Sequence, residues 1–219
     1  MEKSMYSLML MDSIIKEIDR LAYERGTNRS NYINQVLAEY LKMETPETRV
    51  KEIFSLMTTH LNGLDGFKIH GLPANFVMAI KSPLEYKYRP TIKYSVEIFR
   101  TSGDTVGELR VVFRTRHGEL LSRLSAFYDL WIGMEKYYIH KRFKNASIHY
   151  NVEDGRFRRD IMFPASRENV TDIVLSKAIG DYIKMFDGIL KHYISDPQAN
   201  TGSVERRYVD CLNGGMIII

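Results

Sequence analysis

A single short strand precedes two short amphipathic helices near the start of the chain, and this order strongly constrains the fold. Residues 5–10, Met-Tyr-Ser-Leu-Met-Leu, alternate with the period of two expected of a strand whose faces differ. Asp12 or Ser13 can cap a helix that carries an apolar stripe and ends at Gly26, and a second helix follows. One strand has no hydrogen-bonding partner, and two short helices bury little area. The sequence therefore predicts a two-fold dimer, with two antiparallel strands lying over four helices.

The same segment carries an ordered set of features at a fixed spacing. They are the alternating strand, Ile14, Ile18 and Leu21 in the first helix, Gly26 at the turn, Asn28-Arg29-Ser30 opening the second helix, and Ile33. With these features, YSLMLMDSIIKEIDRLAYERGTNRSNYINQVLAEYL resembles a ribbon-helix-helix domain of the CopG, Arc and MetJ type, over about residues 5–42 of 219. The resemblance implies an obligate homodimer that binds double-stranded DNA, with its two-stranded ribbon in the major groove.

The resemblance also implies which residues contact DNA. Outward strand residues read base edges in that family, and these positions fall on Met5, Ser7 and Met9. The start of the second helix, Asn28, Arg29 and Ser30, would hold a phosphate through backbone N–H groups and the helix dipole.

The strand departs from that family in its outward face, which usually carries side chains that hydrogen-bond to bases. Met5 and Met9 cannot form such bonds, so they either contact thymine methyl groups or are covered by another part of the chain. Residues 1–50 hold seven cations against eight anions, although the whole chain is +4. Attraction to phosphate must therefore come from local placement or from the remaining residues, at about +5.

The rest of the chain predicts an α+β domain with an antiparallel sheet and long helices. The predicted helices are 46–62, 119–142 and 167–194, the last begun by Ser166 or Asn169. The predicted strands are 76–81, 84–88, 91–100 and 106–116, followed by a hairpin of 148–152 and 157–163 that turns at Asp154-Gly155. We thus expect a DNA-binding and dimerisation unit at 1–45, an effector or oligomerisation domain at 46–194, and a C-terminal tail at 195–219.

Composition and motifs exclude several classes of protein. With 44% hydrophobic and 26% charged residues, the chain is neither disordered nor fibrous. It has no apolar run of membrane-spanning length and no signal-peptide core, and Cys211 alone cannot form an internal disulfide. We therefore expect a cytoplasmic protein. Only His140 and His149 are placed to converge, without a third metal ligand, and no nucleophile elbow, P-loop or GxGxxG is present. We predict no enzyme, no metal and no cofactor.

One basic cluster follows the predicted helix 119–142. Its members lie within nineteen residues and are Lys141, Arg142, Lys144, Arg156, Arg158 and Arg159. If the hairpin folds back over the helix end, these cations share a face that either contacts phosphates or an anionic effector, or is simply solvated.

Two hypotheses follow from the sequence. The first is a transcriptional regulator whose second domain senses an unknown small-molecule effector or extends the oligomer. The second is a non-DNA protein, an enzyme or interaction module, that uses the first unit only for dimerisation. The outward face of Met5, Ser7 and Met9 discriminates between them, because the first hypothesis requires that face to be exposed.

Overall fold

The chain divides into two compact units, Met1–Thr48 and Arg49–Ile219. The computed structural model describes residues 5–62, 66–70, 76–85, 90–100, 103, 105–115, 117–143, 147–153, 155–163, 170–217 and 219. The division falls within the first turn of a helix that begins at Pro46, close to the predicted boundary after residue 45.

The first unit contains two helices at the predicted positions, α1 (Asp12–Glu24) and α2 (Arg29–Tyr40). The predicted cap of α1 at Asp12 or Ser13 is wrong, because Met11 precedes the helix and no side chain caps it. Gly26 ends this helix region with φ of +62°, which only glycine adopts at little cost. The Asn28 side chain caps α2 by accepting the backbone N–H of Asn31 at 2.9 Å.

The predicted strand at 5–10 is not a strand in the single chain, where residues 5–11 have no regular secondary structure. The physical reason is that a strand forms by hydrogen bonds to a neighbouring strand, and no other described segment of the chain pairs with residues 5–10.

The second unit is built on a six-stranded antiparallel sheet in the order β1-β2-β3-β4-β6-β5. Its strands are β1 (Lys68–His70), β2 (Val77–Pro83), β3 (Thr91–Ile98), β4 (Thr105–Phe113), β5 (Tyr150–Glu153) and β6 (Arg156–Met162). Burial alternates along β3, where Ile92, Tyr94, Val96 and Ile98 point inward. Such alternation is typical of an antiparallel sheet with one covered face and one solvated face.

Helices cover the inward face. They are α3 (Pro46–Leu61), α4 (Gly118–Tyr138), α5 (Asp172–Ser195) and α6 (Thr201–Asn213), and a short 3-10 helix, His140–Arg142, follows α4. Tyr94 of β3 donates to Asp187 of α5 at 2.8 Å, and Tyr128 of α4 stacks on Phe157 of β6 at 5.2 Å between ring centroids. The opposite face, which we call the open face, carries exposed side chains such as Lys81 and Arg158.

α3 and α6 complete the helical layer by packing on its other members. A Cβ atom at Gly180 of α5 would lie 2.7 Å from the ring of His60, so α3 approaches α5 closely at that point. The Tyr208 ring of α6 lies 5.2 Å from Trp131 of α4, between centroids, and both rings are fully buried. The unit therefore has one continuous core between sheet and helices.

The second unit differs from the prediction at four places. β1 lies between residues 62 and 76, where no strand is predicted, and α6 lies within the predicted tail of residues 195–219. The predicted strands 76–81 and 84–88 are replaced by β2 alone, since residues 84 and 85 are not in a strand and 86–89 lie outside the described residues. The capping residue of α5 is Thr171, and the predicted starts Ser166 and Asn169 lie outside the described residues.

Candidate nucleic-acid interface

Exposed apolar side chains are concentrated in the first unit. Within its described residues, only Ala22 and Tyr32 are buried hydrophobics. The exposed large apolar residues of this unit are Met5, Tyr6, Leu8, Met9, Leu10, Met11, Ile14, Tyr23, Val36, Leu37, Tyr40, Leu41 and Met43. In the described part of the second unit, the corresponding residues are only Tyr137, Ile173 and Ile217. So many exposed large apolar side chains within one short stretch of sequence are typical of a surface that binds a partner.

The segment 5–11 shows a graded difference between its two sets of alternating residues. Met5 and Met9 are fully exposed, at 99% and 101%, whereas Leu8 and Leu10 are exposed at 63% and 37%. Ser7 is also exposed. Met5 and Met9 are therefore the most exposed large apolar residues of the segment, while Tyr6, on the other set of alternating positions, is also 85% exposed.

The start of α2 brings together the three predicted phosphate-binding residues. Their side chains differ in whether they already have a partner within the unit. The Asn28 side-chain oxygen is occupied by capping, and Ser30 is exposed. The Arg29 guanidinium forms a two-pronged ion pair with Asp19 of α1, with N–O distances of 2.6 Å and 2.5 Å. This hydrogen-bonded pair raises the pKa of Arg29 and lowers the pKa of Asp19. The cation of Arg29 is thus already balanced within the unit.

The predicted basic cluster does not share one face. Arg156 and Arg158 are exposed on the open face, while Lys141 and Arg142 are exposed in the 3-10 helix that follows α4. Lys144 lies outside the described residues. Arg158 also pairs with the Glu108 carboxylate, so its charge is balanced.

The prediction that Arg159 belongs to this surface is wrong, because its side chain is fully buried on the inward face. Successive strand residues point to opposite faces, so Arg159 points away from Arg158. Its guanidinium lies 2.9 Å from the Glu135 carboxylate and 4.5 Å from the centroid of the Tyr182 ring. Burial opposes the charge of Arg159, but the Glu135 carboxylate, Tyr182 and Tyr150 together outweigh burial and raise its pKa. The alternation of Phe157, Arg159 and Ile161 was the sequence signal for this position.

Potential metal ligands and other reactive side chains also occur in the second unit, among them His60 and Cys211. Among the described residues, no three potential metal ligands lie together. The His60 ring lies 2.6 Å from the Asp181 carboxylate and 3.0 Å from the Lys184 ammonium nitrogen. Burial raises the pKa of the Cys211 thiol, which disfavours the reactive thiolate.

Comparison with known proteins adds no relative. No family model, no curated protein and no solved structure matches this chain. Across the described helices, none is both long and apolar enough to cross a bilayer.

Proposed function

We propose that this protein is a DNA-binding transcriptional regulator whose first unit forms a ribbon-helix-helix homodimer. The observation that carries the proposal is that the first unit exposes most of its large apolar side chains while its helices have the expected order and lengths. Residues 5–10 of two chains would pair as the ribbon, and the helices of both chains would cover one another's apolar surfaces. Association would supply both the missing strand neighbour and the missing core.

In this dimer, Met5, Ser7 and Met9 face the major groove. The support is their exposure, together with the lower exposure of Leu8 and Leu10. Ser7 exchanges hydrogen bonds with a base edge, and the methionines contact thymine methyl groups. We expect modest base specificity, with DNA shape providing part of the discrimination.

The N-terminus of α2 would contact a phosphate mainly through its backbone N–H groups. Asn28 is occupied as the cap, and Arg29 must exchange Asp19 for a phosphate before it contributes its charge. This exchange makes the contribution of Arg29 smaller than that of a free arginine. The second unit, which has its own core, would sense a small-molecule effector or extend the oligomer.

A matched pair of full-length variants tests the proposal. Leu10→Asp places a charge on the inward face of the ribbon, which would lie against the helices of the dimer. Light scattering should therefore find 25.5 kDa monomers instead of particles of twice that mass. Met9→Asp, its neighbour on the outward side, should leave the dimer intact but abolish binding to duplex DNA. A wild-type protein that is monomeric at micromolar concentration contradicts the proposal, as does a Met9→Asp dimer that binds DNA normally.

A second candidate function is a non-DNA protein that uses the first unit only for association. The observation that favours it is the Arg29–Asp19 ion pair, which balances the cation expected to contact phosphate. This candidate predicts a wild-type dimer that binds no duplex DNA even at low salt.

A further inference from the structure

The open face of the second unit carries three lysines in direct cross-strand register, a group that we call the lysine row. Lys68 of β1 lies opposite Lys81 of β2, and Lys81 lies opposite Lys93 of β3. Neighbouring strands are about 4.8 Å apart, so the backbone positions of the three lysines lie within about 10 Å of one another. Like charges that face each other directly are unfavourable in a sheet. The fold therefore tolerates a repulsion here that it does not need for packing.

Two arginines of the open face, Arg110 and Arg158, are balanced by carboxylates, and this contrast sets the lysine row apart. Arg110 and Arg158 lie opposite each other and both pair with Glu108, whose side chain is only 1% exposed beneath them. Arg110 also pairs with Glu97 at 3.0 Å. None of the three lysines forms an ion pair or a side-chain hydrogen bond with another described residue.

Distance explains why those carboxylates leave the lysine row unbalanced. Glu97 lies four residues beyond Lys93 along β3, and it faces Glu108 of β4. Four residues of strand correspond to about 14 Å, which exceeds the screening length of about 8 Å at physiological ionic strength. The row continues through Val112 to Arg156 of β6, and Glu153 of β5 is the anion at its far end.

We propose that the lysine row is a second DNA-contact surface, which binds the phosphate backbone of duplex DNA. The inference rests on the proposed function, since it names the source of the phosphate attraction that the first unit lacks. Residues 1–50 have a formal charge near −1, whereas the remaining residues carry about +5. Phosphate contacts of this kind position a protein on DNA without reading its sequence.

The chemistry of the open face favours a duplex over a single strand. Single-stranded nucleic acid is usually held by aromatic side chains that stack on the bases. The described outward residues of β2, β3, β4 and β6 include no aromatic side chain; beside the lysines the face offers groups such as Ala79, Ser95 and Val112. A face that carries cations and lacks stacking groups on these strands fits a backbone of phosphates.

The test compares full-length proteins with matched changes of charge. One variant, Lys68→Gln with Lys81→Gln and Lys93→Gln, removes the row; the control, Lys51→Gln with Lys136→Gln and Arg206→Gln, removes three exposed cations elsewhere. Affinity for a mixed-sequence duplex is measured by fluorescence anisotropy between about 50 and 200 mM salt. The row variant should lose at least tenfold in affinity at low salt. Its slope of log K against log salt, which is negative, should become less steep by about two to three. The control should change neither quantity appreciably.

Several results would overturn the inference. Equal binding by the row variant and its control would do so, and so would a larger loss for the corresponding single strand than for the duplex. Met9→Asp separates this inference from the proposed function: if that variant loses binding while the row variant matches its control, only the lysine row fails. If the row variant loses binding while Met9→Asp binds normally, only the ribbon fails.

A second measurement does not depend on the variants' folding. Acetylation of the wild-type protein, followed by mass spectrometry, should show Lys68, Lys81 and Lys93 protected by duplex DNA and Lys51 and Lys136 unprotected. Equal modification of both sets with and without DNA would contradict the inference.

Discussion

In the first unit, Leu8 and Leu37 lie at the surface, whereas in the second unit Ile80, Leu124 and Phe186 are completely buried. The second unit closes its core within one chain, through side chains of the sheet and of the helical layer. The first unit has helices of comparable regularity but almost no core. The difference teaches that secondary structure and stability have separate sources: local sequence places the helices of both units, and only one unit obtains its burial from its own chain.

The buried ion pair of Arg159 and Glu135 gives the largest expected effect. Arg159→Ala leaves the Glu135 carboxylate buried without its partner, and loss of one member of such a pair costs about 3–5 kcal/mol. Urea denaturation followed by the fluorescence of Trp131 measures this loss in the second unit. Arg156→Ala, on the same strand but exposed, is the control and should change stability by less than about 0.5 kcal/mol. Equal effects of the two substitutions would mean that Arg159 is not essential to the core.

Dependence on protein concentration gives the next largest effect and contrasts the two units directly. If the first unit is stabilised by association, each tenfold dilution should lower the free energy of opening α1 and α2 by about 1.4 kcal/mol per dimer. Hydrogen exchange with mass spectrometry resolves these helices from α4 and α5, whose protection should not change. Protection of α1 and α2 that is independent of concentration would remove the argument for a dimer core.

The two units also differ in how far the sequence predicts them. The apolar periodicities of α1 to α5 locate these helices well. The apolar stripe is buried in α3, α4 and α5, whereas in α1 and α2 only Ala22 and Tyr32 are buried. β1 has only three residues, which is too short for a periodic signal. In α6, Val204, Tyr208, Cys211 and Leu212 do follow helical spacing, and the prediction of a tail at 195–219 missed this signal. The lysine row depends on strand register between distant segments, which no local pattern contains. Arg159 occupies an inward position in the strand alternation. Because arginine is rarely fully buried, its charge favours the wrong prediction of a surface position.

The caps of α2 and α5 give a smaller pair of matched changes, one in each unit. Asn28 accepts the backbone N–H of Asn31, and Thr171 accepts that of Val174 at 3.3 Å. Replacing either cap by Ala should cost about 1 kcal/mol, confined to the unit that contains it. Asn28→Asp keeps the acceptor and should retain most of the stability. Hydrogen exchange of the two helices reads both effects, and a loss that spreads to the other unit would show that the units are coupled.

The contact of α3 with α5 gives the smallest expected effect, which depends on pH. Burial disfavours the charge of Asp181, but hydrogen bonds from Lys177 and His60 outweigh it and hold the pKa of Asp181 below its ordinary value of 3.8. A carboxyl whose pKa is lowered by folding stabilises the protein above its unfolded pKa and loses this contribution as the pH falls through the folded value. Asp181→Asn should therefore reduce stability by less than about 1 kcal/mol at neutral pH, since the group is partly solvated, and by progressively less below pH of about 4. Denaturation of both proteins at neutral and acidic pH measures the difference, with Asp129→Asn, an exposed carboxylate of α4, as the control. A difference that stays constant to low pH would show that Asp181 stabilises the contact by packing and not by its charge.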